Sequence, residues 1–237
     1  VGQTGSRVRG WKRLGELAGK RASGVPLTDA AGFDASDMEQ GELGDCWFLS
    51  ACACAASHAR RDELFGAVFV RDKTDAARAI FTTRFFKEGL WHEVAVDDRV
   101  PAKYDQPQFA KAKEWKRECW PMVVEKAYAK LHGSYHAIEG GFVDEGLVDL
   151  TGGLAERLTL DDAEQSGELV SGAFFARLLA LHERGHMLGA GSHAGSDTDV
   201  SPQGIVQGHA YSVLRVAEVD GLQMVRCRNP WGQTEWK

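Results

Sequence analysis

Cys46, His209 and Asn229 are the residues whose types and settings could carry nucleophilic chemistry. Such chemistry needs a thiolate, which a helix N-terminus and a neighbouring imidazolium both stabilise. Cys46 follows the Gly-containing loop QGELGD and opens the apolar run CWFLSACACAASH, so it stands where a buried helix should begin. The other four cysteines, Cys52, Cys54, Cys119 and Cys227, read as small buried hydrophobes. The base must be a histidine delivered by the fold. His209 opens the strand-like HAYSVLRV (209–216), and Asn229 closes LQMVRCR (222–228), with Glu218, Asp220 and Gly221 between them. Their midpoint, residue 219, falls in that turn, so antiparallel pairing is expected to set His209 beside Asn229. An Asn carbonyl there accepts the imidazole N–H, fixes the tautomer and leaves the other ring nitrogen facing the thiol. Acyl transfer also needs donors for an oxyanion. Gln40, six residues before Cys46, is the candidate side chain beside the Cys46 backbone N–H, although alone it reads as a solvated loop glutamine.

A rival chemistry is written at His182-Glu183-Arg184-Gly185-His186, where two histidines one helical turn apart could bind Zn²⁺ and Glu183 activate water. A longer zinc motif would keep Gly189, which is present, but needs histidine at 192, where the chain has Ser192, and His193 is out of register. The competing reading places His182 and Glu183 at an exposed helix end stopped by Gly185, with MLGAG following as a buried strand.

The positioning elements follow from periodicity. Residues 1–27, rich in Gly and Lys/Arg, read as an extended or poorly ordered lead-in without chemistry. Residues 79–100 read as two strands around Glu88-Gly89. A helix is expected over about 118–132, with Pro121 in its first turn and Gly133 at its end. Gly140-Gly141 and Gly152-Gly153 bracket a polar stretch and mark a boundary, after which a helix (172–184) leads into strands. The glycine-rich 185–195 lacks the Gly-Lys-Ser/Thr ending of a phosphate loop and reads as a mobile loop. The organisation expected is a lead-in (1–27), a helix-rich part (28–140) and a strand-rich part (141–237).

The chain has 237 residues, 43% hydrophobic and 26% charged, enough for a substantial core. A net charge of −6 without a Lys/Arg cluster argues against nucleic-acid binding. No apolar run reaches membrane-spanning length and no secretory signal opens the chain, so the default expectation is a cytoplasmic protein with reduced thiols. A start at Val1 and a stop at Lys237 inside a Trp-containing stretch suggest a fragment of a longer protein.

Four motifs carry a resemblance. QGELGDCWFLSACA resembles the nucleophile motif of calpains, WPMVVEKAYAKLHGSYHAIEGG their long helix and following loop, and GHAYSVL and RNPWGQTEW their His and Asn segments, in family order over about 28–237. Two departures touch packing: Cys119 where the family usually has an aromatic, and Phe48-Leu49-Ser50 in place of a more aliphatic run. The resemblance implies an α+β, papain-like fold with a cleft between a helix-rich and a β-rich subdomain. It also implies a calcium-dependent cysteine endopeptidase acting on protein substrates, with possible regulatory domains elsewhere in the full-length chain. By resemblance Cys46, His209 and Asn229 form the triad and Gln40 joins the oxyanion hole. Gly141 and Gly208 would offer backbone groups to an extended peptide, and Trp231 would flank the His/Asn pair. Regulatory Ca²⁺ would be held by Asp37, Glu118 and the carbonyls of Ala30 and Gly32, with a second site at Glu235. A calpain-like module that binds without cleaving is the non-enzymatic alternative.

Overall fold

The computed structural model describes residues 7–19, 24–75, 78–196 and 198–232. In chain order the first part contains β1 (Trp11–Arg13), α1 (Leu14–Leu17), β2 (Met38–Glu39), α2 (Cys46–Ser57), α3 (Arg61–Val68), β3 (Ile80–Lys87), β4 (Leu90–Asp97), β5 (Arg99–Lys103), β6 (Gln106–Pro107), β7 (Lys111–Ala112), α4 (Trp120–Leu131) and α5 (Val143–Thr151). There follow α6 (Leu160–Gln165), α7 (Glu168–Ser171), α8 (Ala173–Glu183), β8 (Leu188–Gly191), β9 (Ala210–Val219) and β10 (Leu222–Arg228). The mixture is α+β, as expected, with antiparallel strand pairs throughout the described sheets.

At the centre lies α2, a helix without a polar face. Its ten residues from Trp47 to Ala56 are all buried, the pattern of a helix enclosed on every side. Small residues let its neighbours come close: a Cβ added at Gly146 of α5 would lie 2.8 Å from the Ala51 Cβ. From α4, Tyr128 stacks on Phe48 with ring centroids 3.8 Å apart, while the Tyr128 hydroxyl donates to Asp149 on α5 at 2.6 Å. From the other side, Ser212 on β9 donates to the Ser50 carbonyl at 2.9 Å. Helix α2 is thereby fastened both to the helices α4 and α5 and to the strand β9.

The two expected hairpins form. Each turns through a pair of left-handed residues, Glu88-Gly89 (φ 51 and 81) and Asp220-Gly221 (φ 52 and 77), the turn whose twist suits two-residue hairpins. The expected helix over 118–132 is α4, with Pro121 in its first turn, and α8 realises the helix expected over 172–184.

Several expectations are corrected. The lead-in is structured in part: β1 pairs with β5, Leu14 is completely buried, and its amide donates to the Asp98 carbonyl at 3.1 Å. The polar stretch between the glycine pairs is the helix α5, which buries Val143, Gly146 and Leu150 and stops at Gly152 (φ 69). Its helical spacing was hidden by the acids Asp144, Glu145 and Asp149, of which Asp149 faces the core. Part of 185–195 is the edge strand β8, paired with β9 and only half-buried, so MLGAG is a strand but not a buried one. Cys227 is exposed rather than buried.

Candidate active site

Cys46 is the first residue of α2, directly after the N-cap Asp45, and its side chain is partly accessible. At this position the helix dipole favours the thiolate. The preceding loop is held by contacts that admit no side chain at Gly41, where a Cβ would lie 2.3 Å from the carbonyl oxygens of Gln108 and Phe109. The Glu42 amide donates to the Gln108 carbonyl at 3.0 Å, and the Gly140 amide to the Gly44 carbonyl at 2.9 Å.

Next to Cys46 in the chain, Asp45 is buried, as is Glu125, and their carboxyls face one another. Burial is the main cause that raises both pKa values, and for Glu125 the neighbouring Asp45 adds to it. The pair therefore retains a proton that free carboxyls would lose. Glu125 also accepts from the Ala110 amide at 2.8 Å. A proton on this pair limits the negative charge beside Cys46, which suits a thiolate.

His209, itself buried, bonds through Nε2 to Asn229 Oδ1 at 2.9 Å. The same Asn oxygen accepts the Trp231 amide at 3.0 Å. With Nε2 as donor, the tautomer this network assigns, Nδ1 is the basic nitrogen. The Trp231 ring lies 4.7 Å from the imidazole and Tyr211 meets it edge-on at 5.1 Å. Ser192 fixes the backbone: its hydroxyl accepts the His209 amide at 2.9 Å, and its amide donates to the His209 carbonyl at 2.9 Å.

The pair is not formed by direct opposition, as the midpoint argument supposed. Leu222 pairs with Val219, and a bulge between Arg226 and Cys227 shifts the register so that Arg228 faces Ser212. Continued one step, this register sets Asn229 opposite Tyr211, diagonal to His209. Diagonal neighbours lie within reach of long side chains.

Gln40, Cys46, Trp47, Gly141, Gly208, His209, Asn229 and Trp231 all line one cleft. The Gln40 side-chain nitrogen donates one hydrogen to the Leu43 carbonyl at 2.7 Å, leaving its second N–H. Its Oε1 is buried with no hydrogen-bond partner among the described residues. Gly141 must be glycine, because a Cβ would sit 2.4 Å from the Trp47 indole. Gly208 is left-handed (φ 56), and its Cβ would strike the Gly195 carbonyl at 2.3 Å. Its amide already donates to the His193 carbonyl at 2.7 Å.

Of the residues expected to hold calcium, Ala30, Gly32, Asp37 and Glu118 lie among the described residues. Asp37 follows the turn that carries Ala30 and Gly32, and Glu118, buried, precedes α4. Burial, then the charges of Asp37, Asp29 and Asp34, push the Glu118 carboxyl up to about 7. Burial, then Asp34 and Asp29, raise Asp37. Glu118 Oε2 is buried without a hydrogen-bond partner among the described residues. Glu235 lies outside the described residues.

The zinc reading is corrected. Its motif needs His182 and His186 on one helix, yet α8 ends at Glu183 and Gly185 is left-handed (φ 78). The Gly185 amide bonds the His182 carbonyl at 2.9 Å and the His186 amide the Leu181 carbonyl at 3.0 Å, a glycine-terminated helix end. Among the described residues no three His, Cys, Asp or Glu side chains converge on a metal position. Asp45, Glu125 and Ser192 were missed from sequence. Adjacency to Cys46 could have flagged Asp45, but nothing in the sequence pairs it with Glu125.

Comparison with known proteins agrees with this geometry. The profile described as calpain family cysteine protease matches residues 3–237. The chain is 43% identical over 232 residues to the calpain-type cysteine protease ADL1 of Oryza sativa subsp. japonica, covering 97% of this chain and 10% of the relative. It is 35% identical over 259 residues to calpain-5 of Mus musculus, covering 99% of this chain and 39% of the relative. Against the calpain-2 catalytic subunit of Gallus gallus it is 37% identical over 235 residues, covering 95% and 31%. The chain thus spans a tenth to two fifths of the length of these relatives. No helix among the described residues is long and apolar enough to cross a membrane. By profile match across nearly its whole length, and by an α+β architecture that fits the papain-like fold, this chain belongs to the calpain family of cysteine proteases.

Proposed function

We propose that the chain is the catalytic core of a calcium-dependent cysteine endopeptidase that cleaves protein substrates, with Cys46, His209 and Asn229 as its triad. The observation that carries this reading is the His209–Asn229 hydrogen bond in the cleft that also contains Cys46 at a helix N-terminus. The Cys46 thiolate attacks the peptide carbonyl, and the resulting oxyanion accepts from the Cys46 amide and the second N–H of Gln40. The His209 imidazolium gives its proton to the leaving amine as the C–N bond breaks, leaving a thioester. His209 then takes a proton from water, whose oxygen attacks the thioester, and the acid departs with Cys46 restored as the thiolate. Gly208 and Gly141 hold the substrate backbone, and Trp231 shields the His209–Asn229 bond from water.

The proposed division falls between residues 140 and 141, with the cleft at the junction; α2, α3, α4 and the β3–β4 hairpin lie before it, and α5 to α8 with the three-stranded sheet β8–β9–β10 lie after it. Asp37, Glu118 and the carbonyls of Ala30 and Gly32 form the proposed first calcium site. Hard oxygen donors suit Ca²⁺, and the buried, unpaired Glu118 oxygen fits a cation ligand. Bound there, the cation would supply the charge that this acidic group lacks. Glu235 belongs to the proposed second site. Cys46→Ser should keep the fold while abolishing both cleavage of an unfolded protein substrate and labelling by a thiol-directed epoxide; retained cleavage refutes the assignment.

A further inference from the structure

We propose that Arg228 is a positioning residue that registers the Gln40 segment against Asn229 and so sets the spacing between oxyanion donor and triad. The inference rests on the cysteine-protease reading and adds to it a residue that contacts neither thiol nor imidazole in that mechanism. Arg228 ends β10, immediately before Asn229. Its Nη2 donates to the Met38 carbonyl on β2, two residues before Gln40. The Gln40 amide returns a bond to the Pro230 carbonyl at 2.8 Å. At Gly232 (φ 68) the backbone comes so close that an added Cβ would lie 3.2 Å from the Glu39 side chain.

Residues 38–40 and 228–232 therefore meet at three points, and one segment carries the oxyanion amide while the other carries the triad amide. The main-chain bond at Gln40 fixes a single point. A second, side-chain bond at Met38 prevents rotation about that point, and the planar guanidinium suits this because its donors are held in a fixed fork. The other nitrogen, Nη1, is also buried, with no hydrogen-bond partner among the described residues. Burial works against the guanidinium charge at this position, and the negative charges of Glu39, Asp34 and Asp37 offset part of that cost. The offsetting charges all lie on or just before β2, so losing the guanidinium lets β2, and Gln40 with it, shift relative to Asn229.

The test is a double-mutant cycle in the full-length protein, read as turnover of an unfolded protein substrate and as the rate of Cys46 alkylation by iodoacetamide. Alkylation needs the thiolate but forms no oxyanion, so it separates the two halves of the site. Arg228→Met should lower kcat about a hundredfold, the scale of losing one oxyanion donor, with KM and alkylation changed less than about threefold. Arg228→Lys, which keeps one charged donor to Met38, should recover kcat to within about tenfold of wild type. On a Gln40→Ala background the Arg228 effect should nearly vanish, because both changes remove the same interaction. If Arg228→Met does not fold by circular dichroism, Arg228→Lys carries the same cycle. Unchanged kcat overturns the proposal, as does an undiminished loss on the Gln40→Ala background or a parallel loss of alkylation and turnover in a folded variant. A wild-type protein that neither cleaves nor reacts at Cys46 would instead remove the protease reading itself.

Discussion

Asn229 accepts two hydrogen bonds through one oxygen, from His209 and from the Trp231 amide, so its work is to hold the imidazole and not to exchange protons. His209→Ala should lower kcat by about 10²- to 10⁴-fold, the usual share of a general base. Asn229→Ala should cost less, because Trp231 and Tyr211 still confine the ring. Steady-state kinetics on the two folded variants decides this, and equal losses would give Asn229 a larger role. The Asp45–Glu125 pair makes a second prediction. Folding raises these carboxyl pKa values, so the folded chain binds a proton that the unfolded chain has released. The pair's contribution to stability is therefore complete below the unfolded carboxylate range and is lost as pH rises through the raised folded value. One such proton gives a slope of up to about 1.4 kcal/mol per pH unit. Asp45→Asn should flatten the fall in stability between mildly acidic and neutral pH, measured by urea unfolding. An unchanged slope would show that the proton resides elsewhere.

At the scale of elements, the approach of α5 to α2 is set by glycine and alanine. Gly146 faces Ala51, with no room for a branched side chain. Gly146→Val should therefore cost about 1–3 kcal/mol by overpacking, read as a drop in Tm. For the smaller Gly146→Ala, a compensating Ala51→Gly should recover part of the loss. Additive destabilisation in that pair would mean that the contact is not the constraint. The His/Asn hairpin shows a different economy. Its two-residue turn fixes the pairing at Val219 and Leu222, and the bulge at Arg226 and Cys227 then resets it. Bulges of this kind re-aim side chains at sites, here bringing Asn229 into diagonal reach of His209. Helix α8 is equally decided by its end, since the left-handed Gly185 removes His186 from the helix.

Across the whole molecule, function depends on segments distant in sequence meeting along one cleft. Gln40 touches Pro230, Trp47 donates to the Ile138 carbonyl at 3.0 Å, and Ser212 reaches Ser50. The acids near Asp37 and Glu118 repel one another, a cost that a cation would relieve. If the proposed first calcium site holds the ion through Asp37, millimolar Ca²⁺ should raise the Tm of the wild-type protein clearly more than that of Asp37→Ala. Saturation a hundredfold above Kd corresponds to about 2.7 kcal/mol. Differential scanning calorimetry with and without chelator provides the readout, and an equal rise in the variant would place the ion elsewhere.

The sequence by itself determined which residue types stand ready for chemistry and the local elements that present them. Cys46 at the head of an apolar run, His209 and Asn229 at the ends of two β-rich segments, and Pro121 and Gly133 around a helical stripe are all local signals. Periodicity and turn residues act over a few positions, so they were legible without coordinates. The resemblance extended that reading to Gln40, Gly141 and Gly208, all of which line the cleft. Only the tertiary structure decided what distant residues do to one another. It found the order in 8–18 by pairing β1 with β5, exposed Cys227, and brought Asp45 to Glu125 across separate elements. It also separated His186 from His182, because a left-handed glycine ends the helix between them. Burial, register after a bulge and the charge of spatial neighbours depend on the packed whole, and no window of sequence contains them.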